Sequence, residues 1–518
     1  MHNIRFTRGA ALLAVLASLA CGSLDVVNPN NPDAKRALAD PAALEGVAGG
    51  TLRTFINTFD ANEGNIVLLT QAQSYSASWN NYNMNFYSSI DADGTRNSRP
   101  WQNDPAAAGR TSIEGPWTGY YSTLSSATDV LTAIRVNGIE FSSPSATKRA
   151  ETIAVLMQGA AMMQIALMYD KGYIVDETVD LATLDYSDRK AMRDAALAKL
   201  DDAIALANAN SFTTLSSWTN GYTYTNTQIS RLASTMAAMT LAMWPRNAAE
   251  NAAVDWARVA SYASNGLTSD ILFNGDGCVA WCHELYYWFN AVDTGRISTR
   301  VANMLDPASQ THPWPAGGNG PPNSPDKRLG DGSFGTPAMV DDWGNIPKTA
   351  NAGTDFMWTS VKSFNSARGD YHQSNLGHIR YDLTGEQDPS GIWGGFGVAP
   401  FLTATLNDLL WAEGLIRSGG SMATAATLIN KSRVTRGGLT PAAAGDGATL
   451  LTTRLQYEQE IELLGIGSIN FLNRRRIDGL LTGTPHEMPV PAKELGVFGQ
   501  ALYTWGGSAN PASSPTPP

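Results

Sequence analysis

Cysteine is scarce. The 518 residues hold only 3, too few for a disulfide-stapled scaffold, and no second ligand pair accompanies Cys278 and Cys282 to make a zinc site. Basic charge is in deficit as well: 36 Lys and Arg stand against 47 Asp and Glu, a net charge of −11. No cationic surplus is left to neutralise phosphates, which excludes nucleic acid as a partner. Beyond the N-terminus no segment reaches the roughly 20 residues of a membrane span without charges or breakers. Gly-x-Ser-x-Gly, HExxH and phosphate-loop patterns are all missing, so no catalytic signature, metal or cofactor stands out.

What is present begins with His2, Arg5 and Arg8, followed by an uncharged apolar stretch from Ala10 to Ala20. This is the positive n-region and short h-region of an export signal. Ala20 then meets Cys21, the arrangement of a bacterial lipoprotein signal, in which the cysteine thiol takes a diacylglyceryl group and becomes the new N-terminus. Ser18 replaces the usual branched apolar residue, and Gly22 rather than aspartate follows, so the commonest inner-membrane retention signal is absent. An ordinary cleaved signal with an incidental cysteine is the alternative. On the lipoprotein reading, residues 1–20 are the signal, Cys21 is lipidated and 21–39 form a polar tether. Several acyl chains, at about 0.8 kcal/mol per buried CH₂, make such an anchor durable.

Cys278 and Cys282 flank Trp281 in GDGCVAWCHELYYWF. On a regular helix their β-carbons would stand about 5–6 Å apart, beyond the roughly 3.5–4.5 Å of a disulfide. A bridge therefore requires a tight loop. A disulfide is favoured over free or metal-bound thiols, because His283 alone does not complete a metal site.

Helical patterning starts at Asp40 and Pro41 with DPAALEGVAGGTLRTFINTF. From Asn62 to about Pro105, Asn, Ser, Tyr and Trp predominate without helical period, which predicts irregular loops. Helices resume in GPWTGYYSTLSSATDVLTAIR and in KRAETIAVLMQGAAMMQIALMYDKG, where Ile153, Leu156, Met157, Ala160, Ala161, Gln164 and Leu167 or Met168 trace one stripe. Another follows in SDRKAMRDAALAKLDDAIALANA, through Met192, Ala195, Ala196, Leu200 and Ile204. Two more are TNTQISRLASTMAAMTLAMWP and VDWARVASYASNGL, the second stopping at Asn265 and Gly266. Such helices, joined by short turns and rich in Ala, suggest stacked hairpins of the tetratricopeptide kind. A plain α-bundle is the alternative. Between about Ser269 and Ala399 the Gly, Pro and Asn content forbids long helices. Helices return in FLTATLNDLLWAEGLIRSGG, MATAATLINKSRVTRGG and TLLTTRLQYEQEIELLG, and GGSANPASSPTPP predicts a disordered tail over 506–518.

In four ordered stretches the chain resembles the SusD/RagB family of nutrient-binding outer-membrane lipoproteins. They are Cys21 with its tether; GPWTGYYSTLSSATDVL with LMQGAAMMQIALMYDKGYIV; FLTATLNDLLWAEGLIRSGGSMATAATLINKSRVTRGGL, with its Ala412–Glu413 pair and Leu428–Arg433 segment; and YEQEIELLGIGSINFLNRRRIDGLLTGTPHEMPVPAKELGV. The last departs from the family pattern, with Ile466, Ile469 and Leu472 where three charges are usual. Concerted loss of an ionic group in favour of apolar residues is energetically tolerable and points to a structural role for that group. The resemblance implies a mostly α fold of stacked tetratricopeptide-like helical hairpins with long irregular ligand-binding loops, divided into an N-terminal helical region, 40–268, and a loop-rich and helical region, 269–505. It implies capture rather than catalysis. Such a protein, held to the outer membrane by its lipid and facing the cell surface, hands oligosaccharides, or sometimes peptides, to a SusC-like TonB-dependent transporter.

Independently, the loops carry the side chains that sugar recognition needs, flat aromatic faces beside amides. Trp79, Asn80, Asn81 and Tyr82 fall in one non-helical run, WNNYNMNFY, and Trp101, Trp281, Tyr286, Trp288, Trp314 and Trp343 occupy other loops. Each is a candidate ligand contact; packing of loops onto helices is the competing role. Trp117 and Tyr121, on a helix, are assigned to the core. Glu458 and Glu462 lie one turn apart and match structural positions, so a glycosidase pair is not indicated. Asp91 and Asp93 read as a solvated turn rather than a calcium loop, which lacks its later glutamate.

Overall fold

The computed structural model describes residues 40–60, 63–77, 83–88, 100–283, 295–311, 322–329, 354–358, 373–380 and 396–506. The lipidation candidate Cys21, the tether and the C-terminal tail lie outside these ranges. Helix α1, Pro41–Asp60, starts where Asp40 accepts the Ala42 N–H at 3.0 Å, leaving Pro41 in the first turn, where its missing donor costs nothing. There follow α2 (Glu63–Gln71), α3 (Met84–Ser88), α4 (Thr111–Leu131), α5 (Pro144–Met168), α6 (Arg189–Ala209), α7 (Asn226–Ala242), α8 (Ala248–Ala252) and α9 (Trp256–Ser264). After α10 (Thr299–Leu305) come α11 (Ala404–Ser418), α12 (Met422–Arg433), α13 (Gly447–Ile461), α14 (Ile469–Arg475) and α15 (Ala492–Val497). Their starts are set by side chains: Ser143 caps α5, Asp188 caps α6, and Thr225 with Gln228 forms a reciprocal capping box on α7.

Sequential helices pack as neighbours, α4 on α5, α5 on α6, α6 on α7, and later α9 on α11 and α11 on α12. This is the hairpin stacking that the Ala-rich spacing predicts. Its centre is α5, buried all round from Ala150 to Met168, so the expected single stripe is in fact a whole helix in the core. By length and composition α5 could cross a membrane, contrary to the reading that no later segment approaches a span, but its apolar window is wholly buried inside the fold.

Helix α2 falls where irregular loops were expected. Gly64 to Gln71 are all buried, with Val67 and Leu68 in the main core and Ile66 and Leu69 in a second, smaller one. A helix shared between two cores has no polar face and so shows no 3.6-residue period. The smaller core lies under short antiparallel pairs: β1 (Tyr75–Ser76) with β5 (Arg296–Ile297), and β6 (Phe356–Trp358) with β7 (Leu376–His378). A third pair, β2 (Lys171–Gly172) with β3 (Ser187–Asp188), brackets the chain between α5 and α6. The longest, β4 (Ile271–Asp276) with β8 (Phe396–Leu402), runs Ile271 against Leu402 and Asp276 against Phe396. It joins the two ends of the irregular segment. Ile466, Ile469 and Leu472 are buried in the main core, where three charges would need partners.

Two ionic groups are buried between these elements. Arg328, fully buried, meets Asp326 at 2.8 Å, Glu458 at 2.8 Å and Glu462 at 3.0 Å. Glu462 also takes Arg380 at 2.8 Å and Arg436 at 2.9 Å. Burial works against the Arg328 cation, but the charges of Glu458 and Asp326 outweigh it and hold the guanidinium ionised. On α11, Glu413 receives both terminal nitrogens of Arg476, at 2.6 and 2.5 Å, with Arg417 at 2.7 Å and Gln459 at 2.8 Å. Burial alone would raise this carboxyl; the Arg476 charge instead brings it down to about 2.

Removing one member of the first group leaves the others buried without a counter-charge. Arg328→Met is expected to cost about 3–5 kcal/mol in urea unfolding, whereas loss of the exposed Arg258 should cost under about 1 kcal/mol. Equal costs would deny the cluster its role. Glu413 titrates lower in the folded chain than in the unfolded one, so its contribution is complete above about pH 4.5 and is lost as pH falls toward 2. Glu413→Gln should flatten the stability curve between those limits, as read by denaturant midpoints at stepped pH.

Candidate functional site

One face of α4 places Trp117, Tyr121, Leu124, Ser125 and Thr128 in line, at the three- and four-residue steps of a helix, and Thr132 follows just past its end. Opposite stands the segment from Tyr173 to Leu184, and Lys493 and Glu494 of α15 close one end, enclosing a cleft of about 800 Å³. The β2–β3 pair anchors the opposite wall, because it pins the chain as it leaves α5 and before it enters α6. The aromatic floor is continuous. Trp117 and Tyr121 are 4.6 Å apart between ring centres, Tyr121 and Tyr173 5.7 Å, and Tyr173 stacks on Tyr186 at 4.6 Å and 19°. The Tyr121 hydroxyl accepts the Tyr173 N–H and donates to the Tyr173 carbonyl at 3.2 Å, locking floor to wall. Desolvation raises its pKa, so it stays a neutral phenol.

The acidic residues of the wall are held in ion pairs. Asp176 meets Lys199 at 3.0 Å, and Glu177 meets Arg135 at 2.7 Å and accepts from Gln158 of α5 at 3.2 Å. Burial pushes both carboxyls up, but hydrogen bonds, from Thr178 and Lys199 to Asp176 and from its own backbone N–H and Arg135 to Glu177, bring them below the usual range. Both are anions at neutral pH. Asp129, exposed on α4, is shifted upward by partial desolvation. The lining residues include neither histidine nor cysteine. Flat rings, serine and threonine hydroxyls and fixed carboxylates suit a ligand with apolar faces and many hydroxyls. Apolar side chains flank the cleft: Leu181 in its lining is 66% exposed, and Phe498 lies 6.0 Å from Tyr173 and 5.4 Å from Tyr186.

The residues singled out in the sequence divide differently. Trp101 is not a ligand platform: it is 1% exposed, its Nε1 donates to the Glu487 carbonyl at 2.9 Å and its ring lies 5.1 Å from Tyr87. Trp281 is likewise used in packing, 5% exposed and 5.9 Å from Phe273. Neither ring has a free face to offer, because each has been spent on anchoring a loop. Trp79, Asn80, Asn81, Tyr82, Tyr286, Trp288, Trp314 and Trp343 lie outside the described residues, as do Asp91 and Asp93. Tyr121, assigned to the core, lines the cleft instead; Trp117 is buried but edges into it. The cleft was missed because its second wall, YIVDETVDL, has no period, and only its acidic and aromatic content marked it.

Cys278 and Cys282 are joined, with Cα atoms 4.1 Å apart. The turn that permits this has positive φ at Gly277 and Cys278, 76° and 63°, and the Asp276 carboxylate accepts the N–H groups of Val279, Ala280 and Trp281 at 3.0, 3.0 and 2.9 Å. Asn57 of α1 clamps the loop, donating to the Ala280 carbonyl at 2.9 Å and accepting from Cys282 at 3.1 Å.

No protein-family model matches the sequence, and no curated protein does. Solved structures do match the fold. A SusD superfamily protein from Bacteroides vulgatus is 12% identical, with a TM-score of 0.53 over 86% of this chain and 89% of its own. A SusD-like carbohydrate binding protein from the same organism is 12% identical, with a TM-score of 0.54 over 85% and 83%. A SusD superfamily protein from Bacteroides thetaiotaomicron is 14% identical, with a TM-score of 0.53 over 85% and 90%. This chain therefore has the SusD-like fold, mostly α with stacked helical hairpins, as the four stretches implied.

The small disulfide loop is built on hydrogen bonds that survive without the bridge. Changing both Cys278 and Cys282 to serine is expected to lower stability by about 2 kcal/mol and to perturb the near-UV signal of Trp281. A fully unfolded variant would show that the loop governs the whole domain.

Proposed function

We propose that this protein captures carbohydrate at the cell surface and delivers it to a SusC-like TonB-dependent transporter in the outer membrane, to which it is held by a lipid on Cys21. The observation that carries the reading is the fold itself, shared along some 85% of the chain with a SusD-like carbohydrate binding protein. The cleft on α4 supports it by its chemistry. A pyranose ring can lie on Tyr121 while its hydroxyls reach Ser125, Thr128 and the Glu494 carboxylate. The loop aromatics around Trp79 and Trp288 are the other candidate platform. The role is binding, since the described cleft brings together rings and paired carboxylates rather than a nucleophile and its base.

A second reading has its own observation. The exposed apolar side chains of Leu181 in the lining and of Phe498 beside Tyr173 and Tyr186 suit a protein or peptide ligand, and the fold would then act as an interaction scaffold.

Calorimetry and affinity electrophoresis of the full mature chain against plant, microbial and host glycans, with a peptide panel in parallel, test these readings. Glycan binding is expected. Ser125→Trp, which fills the cleft from an exposed position, should then weaken it at least tenfold if the cleft is the site, and Trp79→Ala should do so if the loops are. Binding of peptides alone would favour the second reading. No binding to either panel, with the transporter present, overturns capture. Absence of palmitate label at Cys21 in the expressing cell overturns the anchor.

A further inference from the structure

Charge around the cleft is matched unevenly. Asp176 and Glu177, with Glu151 behind them, meet Lys199, Arg135 and Lys148 in ion pairs at 2.7 to 3.0 Å. Three anions face three cations, so this group holds the wall and leaves no net charge for a ligand.

Two lining carboxylates fall outside it. Asp129 is exposed on the α4 face and Glu494 is half-buried on α15, and neither makes an ion pair or a side-chain hydrogen bond among the described residues. They stand well apart. Lys493 donates to the Thr118 Oγ1 at 3.1 Å, which fixes α15 over the start of the α4 face, whereas Asp129 lies about 16 Å further along the helix at 1.5 Å per residue. The two free anions thus mark the two ends of the cleft. Beside it, Asp180 and Asp185 are exposed on the wall segment, accept only the backbone N–H groups of Ala182 and Tyr186, and have no cation among the described residues. Against these four carboxylates stand Lys493 and Lys171, the second held over the rings of Tyr186 and Tyr503 at 5.3 and 5.4 Å. The balance is anionic, and a concave apolar floor focuses such a field on whatever enters.

We infer that the cleft selects oligosaccharides of amino sugars, whose protonated amines are received by Asp129 at one end and Glu494 at the other. The inference rests on the reading of the cleft as a carbohydrate site and gives that site a ligand class. Ser125 and Thr132, on the same helical face as Asp129, set hydroxyls beside it, so an ammonium with its three donors finds several acceptors. A cation also gains from the Tyr121 ring face on which the sugar lies. Acidic sugars fare worse. The lining contains no arginine to receive a uronate or sulfate, and either free carboxylate would repel it.

The test titrates the full mature chain by calorimetry at pH 6 with a glucosamine tetramer, its N-acetylated counterpart and a uronic acid tetramer. Acetylation removes the charge and keeps the ring. In low salt the amine form is expected to bind about tenfold more tightly than the acetylated form, the yield of two partly exposed ion pairs, with the gap closing as salt is raised and the uronate binding weakest. Asp129→Asn and Glu494→Gln should each cut the ratio of the first two affinities about threefold. Equal affinities for the amine and acetylated forms, a preference for the uronate, or a preference that both variants retain overturns the inference and leaves carbohydrate capture standing. A basic tetrapeptide that displaces the amino-sugar tetramer at lower concentration overturns the assignment to sugar. If no glycan of any charge binds, the carbohydrate reading falls and takes the inference with it.

Discussion

Arg328 is the point on which the second half of the molecule depends. It sits in a short helical turn, Lys327–Leu329, and it reaches across to Glu458 on α13 and Glu462 just past its end. Arg433 and Arg436, at and just past the end of α12, and Arg380, just past β7, enter the same group through Glu458, Glu462 and Asp355. Four guanidinium groups and four carboxylates, Asp326 included, thus neutralise one another. Charges taken out of water cost several kcal/mol each unless so matched. The constraint is geometric as much as energetic: Asp326, Arg328, Asp355 and Arg380, from a stretch with little hydrophobic patterning of its own, are tied by these pairs to α12 and α13.

A different device organises the first half. Helix α5 is buried on every side and contributes mainly Ala, Met and Leu, residues that allow close helix approach and fill irregular gaps. Two of its polar side chains reach across to other segments: Glu151 pairs with Arg135 at 2.9 Å, and Gln158 has two acceptors. Gln158 links α4, through Thr128 at 2.9 Å, to Glu177 on the opposite wall of the cleft. The cleft is therefore held open from below by a core helix and closed at one end by the C-terminal α15, so its shape reports on packing from both ends of the chain. The Glu413–Arg476 pair ties α11 to the end of α14 in the same manner, joining the late helices to the α9 hairpin.

Legibility in the sequence followed amphipathicity. Helices α4 to α7 and α11 to α13 appear in the pattern because most alternate apolar and polar faces and five of the seven, α5, α6, α7, α11 and α12, start on a side-chain cap. Helix α2 did not, because two cores bury it on all sides. The roles of Trp101 and Trp281 could not be read either, since a loop aromatic that anchors and one that displays a face look the same in one dimension. Tyr121 shows the converse. It repeats with Trp117 at core spacing, yet the wall it meets stands off far enough to leave a cleft.

The sequence by itself determined the helical hairpin class, the acidic balance, the close spacing of the two bridged cysteines and the order of the four family-like stretches. All of these are local or compositional, set by propensity, capping and period. Only the tertiary structure decided which aromatics face space, which carboxylates find a guanidinium and which, like Asp129, find none. Those outcomes depend on residues far apart in the chain, Arg328 with Glu458 over 130 positions and Asn57 with Ala280 over 223. No linear period encodes such distances, because burial and pairing are properties of the packed solid rather than of the chain.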